Sequence, residues 1–380
     1  MENNIKTIKH RFAYLDNVRS LVIFLVVVMH SAVTYSGLGG WYYIEGSPEN
    51  LSIFELIFFA FMQSHMQAWI MGALFFISAY LAAKALARHG LNKFIKERLF
   101  RLGLPLLIYI FFITPIIGYL IKFYGPETSF IHNYIKYITS FYWLGGTGPL
   151  WYVQVLLIFC AIYVLVKKCF PVFIKIQNID TLKIIFAIII TGVIAFLIRL
   201  IFPIGSSILN LQFSYFASYI VMFIAGILIG ENDLLDKVTN NKNIKWLKLS
   251  LIIGIPMWVI IMLFGGALEG NYYFEGGLNW QSFSFAIWES LTAIGFSIGI
   301  IALFKKKVNI DNEFSGLIRD NAFGIYFFHA LIMVTVSLIL KNLVFNPLLK
   351  FAIVTIISFV LCLSFSFLIR KIKPIGILFK

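Results

Sequence analysis

The chain has 380 residues, of which 60% are hydrophobic, 17% aromatic and only 13% charged. A soluble globular protein is about 25% charged and about 45–50% apolar, and one with this composition would expose apolar patches large enough to aggregate, so lipid is the solvent that suits it. The net charge of +14 raises nucleic acid as a partner, but the placement of the cations, described below, excludes that class.

Met1 to Asp16 is polar and weakly basic. The apolar run behind it is too long for a signal-peptide core and no small-residue cleavage site follows, so the first helix is expected to stay as a signal anchor. A span takes about 20 mostly apolar residues. Such runs place ten transmembrane helices near 18–36, 66–84, 103–121, 149–166, 183–202, 213–230, 246–265, 283–304, 322–340 and 347–369. The fold class is therefore an all-α polytopic bundle, with 1–380 forming one membrane-embedded unit. The apolar stretch Phe54–Phe61 joined to 66–84 is too long for one straight span, because about 30 residues rise about 45 Å. A break is expected around Gln63–Gln67, with a short interfacial helix before it. Cys160, Cys169 and Cys362 show no metal-ligand or disulfide spacing, so no metal is expected.

Lysine and arginine set the orientation. The loops that share a side with both termini carry Lys6, Lys9 and Arg11, the cluster from Lys84 to Arg101, Lys167 to Lys183, Lys237 to Lys248, Lys305 to Arg319, and Arg370 to Lys380. The opposite loops carry only Lys122, Lys136, Lys341 and Lys350. The positive-inside rule puts both termini in the cytoplasm, the basic excess is a match to anionic membrane lipid, and a bacterial plasma membrane is the expected location. The longest extramembrane stretch, around 122–148, cannot fold as a domain, so the chemistry must lie within the bundle or at its faces.

Two arginines, Arg19 and Arg199, fall within spans. An ionisable group there costs at least about 2.5–3.5 kcal/mol, which makes it a functional candidate by default. His30, His65, Gln154, Glu289 and His329 are further polar candidates. Arg19 and His30 are eleven residues apart, which returns to nearly the same helix face about 16 Å further along. A cation near one surface and a histidine past the midplane thus share a stripe, with Asp16 placed to pair with Arg19. Snorkelling is the structural alternative for Arg19. Arg199, at the end of its span, reads as an anchor, and Glu289 as an interfacial residue or an acceptor contact. Arg98 and Arg101, at i and i+3, are expected to share a face at the cytoplasmic edge and to grip phosphates. Trp41, Tyr42, Tyr43, Trp143, Tyr272, Tyr273 and Trp280 fit a sugar-stacking platform or an aromatic belt.

These residues carry a resemblance. Tyr14-Leu15-Asp16-Asn17-Val18-Arg19 with His30 ten residues on resembles the R-x10-H signature of the acyltransferase 3 family. Leu74 to Leu81 is similar to its FFxxSGYL span, with Ala79 in place of glycine. Arg98-x-x-Arg101 with Pro105 resembles its RxxR motif, Gly148 to Tyr152 its tryptophan motif, and Gly324 to His329 its YxxH helix. The wording around His65-Met66 leans towards the branch that succinylates periplasmic glucans. The resemblance implies transfer of an acyl group, acetyl or succinyl, from cytoplasmic acyl-CoA to a hydroxyl of a cell-surface carbohydrate, with acyl-CoA as donor substrate and no tightly bound cofactor. It implies His30 as base or acyl relay, Arg19 as catalytic cation, and Arg98 and Arg101 as the CoA-phosphate clamp. Asp16, His65, Glu289, Tyr326 and His329 are expected as acceptor or supporting residues. Some members fuse a hydrolase-like extramembrane domain; here the expectation is a bare membrane module that delivers the acyl group itself or hands it to a separate protein. The rival readings are a glycan or glycolipid transporter, which predicts internal repeats and broken helices, and a polysaccharide polymerase, which calls for a large outer loop.

Overall fold

The computed structural model of the chain describes residues 12–125, 128–170 and 174–379; Lys6, Lys9, Arg11 and Lys380, which enter the charge argument, lie outside them. Ten helices are long and apolar enough to span a membrane: α1 (Ala13–Ser36), α2 (Ile53–His89), α3 (Leu91–Leu120), α4 (Gly148–Cys169), α5 (Thr181–Arg199), α6 (Phe213–Glu231), α7 (Asn241–Phe264), α8 (Trp280–Lys307), α9 (Glu313–Leu340) and α10 (Pro347–Lys371). No sheet forms among the described residues. The protein is a multi-pass membrane protein. The end of the bundle where α1 begins and α10 ends is called the basic face below, and the opposite end the far face.

α2, α8 and α9 are the most enclosed spans, whereas α5, α7 and α10 are mostly uncovered. The exposed surface of the outer helices is what lipid requires: Leu182, Phe186, Phe264 and Ile356 all stand open. α2 and α6 meet closely because small residues face one another. A Cβ at Gly226 would lie 2.3 Å from the Phe76 carbonyl oxygen and 2.7 Å from the Ala79 Cβ, and one at Gly230 would lie 2.8 Å from the Ala83 Cβ. Ala79, where the resemblance expects glycine, is accommodated because the facing residue is itself glycine.

The expected break at Gln63–Gln67 is absent. α2 is one helix of 37 residues, about 55 Å long, so it crosses a hydrocarbon core of about 30 Å and projects beyond it. Neither glycine nor proline lies near Gln63–Gln67, and the polar side chains have partners inside the bundle. Gln63 donates to Ser36 Oγ at 2.8 Å, Gln67 donates to the Tyr219 hydroxyl at 3.2 Å, and His65 Nδ1 lies 2.8 Å from the Phe61 carbonyl. The start of α2 is fixed by a capping box between Ser52 and Glu55, which satisfies donors the helix leaves open. Asn346, the N-cap of α10, donates to the same Glu55 carboxylate at 2.7 Å. Two helix starts are thereby tied together on the far face.

α3 is interrupted by two π-turns, Leu99–Gly103 and Tyr109–Ile113. Each is followed closely by a proline, Pro105 and Pro115. A proline offers no N–H to the carbonyl four residues back and its ring crowds that carbonyl, so the ladder widens by one residue.

Candidate active site

α1 runs unbroken from Arg19 to His30, and the two ends of that stripe meet different surroundings. At the far end, the His30 ring is packed against two others, which also lie beside each other with centroids 6.0 Å apart. Trp41, from the loop after α1, lies on it with ring centroids 3.8 Å apart and planes 14° apart. His329 of α9 lies 5.2 Å away at 21°. His329 is fully buried, and its Nδ1 is 2.6 Å from the Tyr326 carbonyl oxygen. A carbonyl only accepts, so Nδ1 carries the hydrogen and Nε2 of the neutral ring is left as an acceptor. His329 Nε2 and His30 Nδ1 are both buried without a hydrogen-bond partner among the described residues. Trp41 is therefore part of the histidine stack and not of an outer aromatic belt.

The loop that carries Trp41 is held firmly. The N–H groups of Glu45 and Gly46 donate to the Thr34 carbonyl at 2.8 and 3.0 Å. Glu45 is paired with Lys350 of α10, whose ammonium also donates to the Leu343 carbonyl at 3.0 Å. Gly46 lies so close to the end of α1 that a Cβ would fall 1.9 Å from the Tyr35 carbonyl oxygen.

His30 and Trp41 form part of the wall of a cavity of 1170 Å³ that occupies the far half of the bundle. Gln63, Ser64 and Gln67 line it from α2, Trp151 from α4, Tyr215 and Tyr219 from α6, and Trp288 and Glu289 from α8. The loop between α7 and α8 contributes Tyr272 and Glu275 near the far face, and burial pushes the Glu275 carboxyl above the usual carboxylate range.

Arg199 and Glu289 depart from their expected positions. Arg199 is fully buried rather than an anchor, and its Nη2 lies 2.5 Å from Glu289 Oε2. Its guanidinium sits 5.6 Å from both the Tyr215 and Phe285 ring centroids. Glu289 is buried as well, so it is not an interfacial residue. The physical reason is mutual: a charge in an apolar interior is tolerated when an opposite charge and polarisable rings surround it. His65 lies outside the cavity wall, its ring 5.0 Å from that of Trp288.

At the basic face, Arg19 pairs with Asp16 at 3.3 Å and remains 42% exposed. Arg98 is half-buried, with its guanidinium 5.1 Å from the Phe94 ring centroid. Tyr152, of α4, is hydrogen-bonded to Ser78 at 2.7 Å and donates to the Leu74 carbonyl at 3.2 Å. Arg101 does not share this face. The π-turn that begins at Leu99 places it after a wider turn than the i, i+3 rule assumes, and it is exposed on an outer groove beside Lys93 and Lys96.

Between the two regions runs a line of rings. Tyr152 lies 6.3 Å from Tyr326, Tyr326 lies 5.8 Å from His329, and His329 lies 5.2 Å from His30. The Tyr326 hydroxyl donates to the Pro149 carbonyl. The structure thus brings together His30, His329 and Tyr326 in the centre, and Asp16, Arg19 and Arg98 at the basic face. Sequence reasoning missed the role of Trp41, the Ser78–Tyr152 pair and the Arg199–Glu289 ion pair. The last left one trace: a lone cation and a lone anion inside two different spans.

The family model described as "Acyltransferase domain", that of acyltransferase 3, matches residues 12–367. No curated protein matches the chain.

Proposed function

Because the chain belongs to the acyltransferase 3 family, we propose that it transfers an acyl group from acyl-CoA, bound from the cytoplasm at the basic face, to a hydroxyl of a carbohydrate held in the far-face cavity. Both termini then lie in the cytoplasm, as the positive-inside rule requires, and the membrane is the plasma membrane of a bacterium. The observation that carries this reading is His30. It is the histidine of the R-x10-H stripe, it has a ring nitrogen with no partner among the described residues, and it stands in the cavity wall.

The residues divide the work. Arg19 and Arg98 supply charge for the donor's phosphates, and Arg98 is the more enclosed of the RxxR pair. The acceptor hydroxyl has a pKa far above 7 and needs a base; histidine suits, with an ordinary pKa of about 6.5. His30 takes the hydroxyl proton as the oxygen attacks the thioester carbonyl. The carbon–sulfur bond then breaks, the acyl–oxygen bond is complete, and the thiolate leaves towards the basic face and is protonated there. His329, with its Nδ1 fixed by the Tyr326 carbonyl, and Trp41 hold the plane of the His30 ring. Fixing the ring removes orientational freedom from the reacting group, which is a large part of what an enzyme contributes.

The test is donor binding to the purified protein in nanodiscs, by thermal shift with acetyl-CoA, succinyl-CoA and free CoA. A ligand that binds only the folded state raises stability by mass action, by about 2.7 kcal/mol at a hundred times its Kd. A shift that depends on Arg98 supports the enzyme reading and ranks the donors. Absence of any shift on folded protein favours the transporter reading.

A further inference from the structure

Between α3 and α4 the chain forms a short helix, Phe130–Thr139, whose faces are reversed from those of a helix in water. Ile131 and Ile135, four apart and on one side, stand 71% and 56% exposed, whereas Asn133 and Tyr137, four apart on the other, are only 3% and 6% exposed. Uncovered isoleucine suits the boundary between lipid chains and headgroups. A buried amide calls for a reason, because taking it out of water costs free energy unless its hydrogen bonds are replaced.

The helix is pinned by a defect in its neighbour. In the second π-turn of α3 the N–H of Thr114 donates to the Tyr109 carbonyl, five residues back. By the same spacing the Ile110 carbonyl would face Pro115, which has no N–H. The Tyr137 hydroxyl donates to that carbonyl instead, at 2.9 Å, and the Thr114 hydroxyl donates to the Gly146 carbonyl at 2.6 Å. The segment is thus held against α3, and Asn133, one turn before Tyr137, is set in the cavity wall.

The amide of Asn133 differs from the other amides of that wall. Gln63 donates to Ser36, Gln67 to Tyr219, and Asn210 to Thr147 and the Gly148 carbonyl, so those side chains serve the fold. Neither Nδ2 nor Oδ1 of Asn133 has a hydrogen-bond partner among the described residues. Tyr124, whose ring lies beside Lys136 of the same short helix, also lines the cavity with an unpartnered hydroxyl. Buried polar groups are normally bonded, so an open amide in a cavity wall has the character of a ligand contact. It presents a donor and an acceptor side by side in one plane, which matches two adjacent hydroxyls, one accepting and one donating. The wall is continuous back to His30. Trp41, on the His30 ring, lies 5.4 Å from the Tyr42 ring, and the Tyr42 hydroxyl lies 3.4 Å from Thr114 Oγ1.

We infer that Asn133 is a binding residue for the acceptor. Its amide takes two adjacent hydroxyls of the carbohydrate, away from the hydroxyl that His30 deprotonates, and so sets which hydroxyl reaches His30. This rests on the reading of the cavity as the acceptor site and adds the residue and the chemistry that hold the acceptor in register.

The experiment uses the full chain in nanodiscs, with acetyl-CoA as donor and neutral linear hexamers of glucose, galactose and N-acetylglucosamine as acceptors. Labelled acetyl transfer gives kcat and the acceptor KM, and product analysis gives the position acetylated. Asn133→Leu is expected to raise the acceptor KM about tenfold or more, from the loss of two hydrogen bonds. It is expected to leave kcat within about threefold, as loss of uniform binding does, to leave donor affinity unchanged, and to spread acetyl over more positions. Asn133→Gln keeps the amide and is expected to recover part of the loss. Thermal unfolding of the empty protein is the structural control: removing an unpartnered buried amide is expected not to lower Tm. A raised KM with a lowered Tm and no recovery in Asn133→Gln marks a structural role and overturns the inference. An unchanged acceptor KM in folded Asn133→Leu, with the wild type active on at least one hexamer, overturns it too and leaves the acceptor site standing. Transfer to none of the hexamers by wild-type protein that binds acetyl-CoA overturns the carbohydrate reading itself, and this inference with it.

Discussion

The two ends of this bundle treat charge in opposite ways. At the basic face, Lys84 pairs with Asp233, Lys305 with Asp236 at 2.5 Å, and Arg19 with Asp16 at 3.3 Å. These pairs are shallow and partly wet, of a kind that contributes little to stability, so such cations stay available to a ligand with several negative charges. In the far half, Arg199 is sealed against one glutamate and two rings, and the cavity in front of it has no cation among its described lining. The comparison teaches that net charge alone is a poor guide. The same +14 describes a face rich in cations and a cavity with none among its described lining, with His30 in that cavity's wall.

The largest expected effect comes from breaking the sealed pair. Arg199→Leu leaves Glu289 buried without its partner, and Glu289→Leu leaves a buried cation. Each is expected to destabilise the bundle by about 3–5 kcal/mol, whereas the double Leu variant recovers most of the loss. Thermal unfolding in nanodiscs checks this; additive losses in the double variant would mean that the pair is not coupled.

The next effect separates the two arginines of the RxxR motif. Arg98→Ala is expected to weaken donor binding about 10- to 100-fold, from the loss of about 1.5–3 kcal/mol for a charged hydrogen bond. Arg101→Ala, on the outer groove, is expected to change it less than threefold. Titration with acetyl-CoA distinguishes them, and equal losses would restore a shared face.

A smaller effect belongs to Trp41. When His30 takes a proton it becomes a cation against an indole face, an interaction worth about 0.5–2 kcal/mol. Trp41→Leu is expected to lower kcat by about 2- to 30-fold and to move the acidic limb of the pH–rate profile downwards, since the protonated ring loses its support. The sign follows because a group that stabilises the protonated form raises its pKa, and removing that group lowers it. Donor affinity is expected to stay unchanged. An unmoved pH profile would reduce Trp41 to packing.

Much of this was legible in the chain. The ten spans follow from runs of apolar residues, because lipid penalises every unsatisfied backbone group and leaves the helix as the simple solution. Arg19 and His30 were legible as one stripe because helical periodicity is local. Several of the errors concern partners distant in sequence. Gln63, His65 and Gln67 resemble a break until Ser36 and Tyr219 are seen beside them. Arg199 resembles an anchor until Glu289, ninety residues on, is found against it. Arg98 and Arg101 share a face by counting, but Pro105 widens the turn between them, a signal that was present and misread. Trp41 sits in a loop, where periodicity carries no information.

The measurement that bears most directly on the central claim is the single-turnover rate of acetyl transfer by His30→Ala, with donor and neutral glucan both bound and both affinities measured beforehand. General-base assistance accounts for about 10²- to 10⁴-fold in rate. A loss of that size with unchanged affinities is the predicted result; a rate within threefold of the wild type would contradict the assignment of His30 as the base.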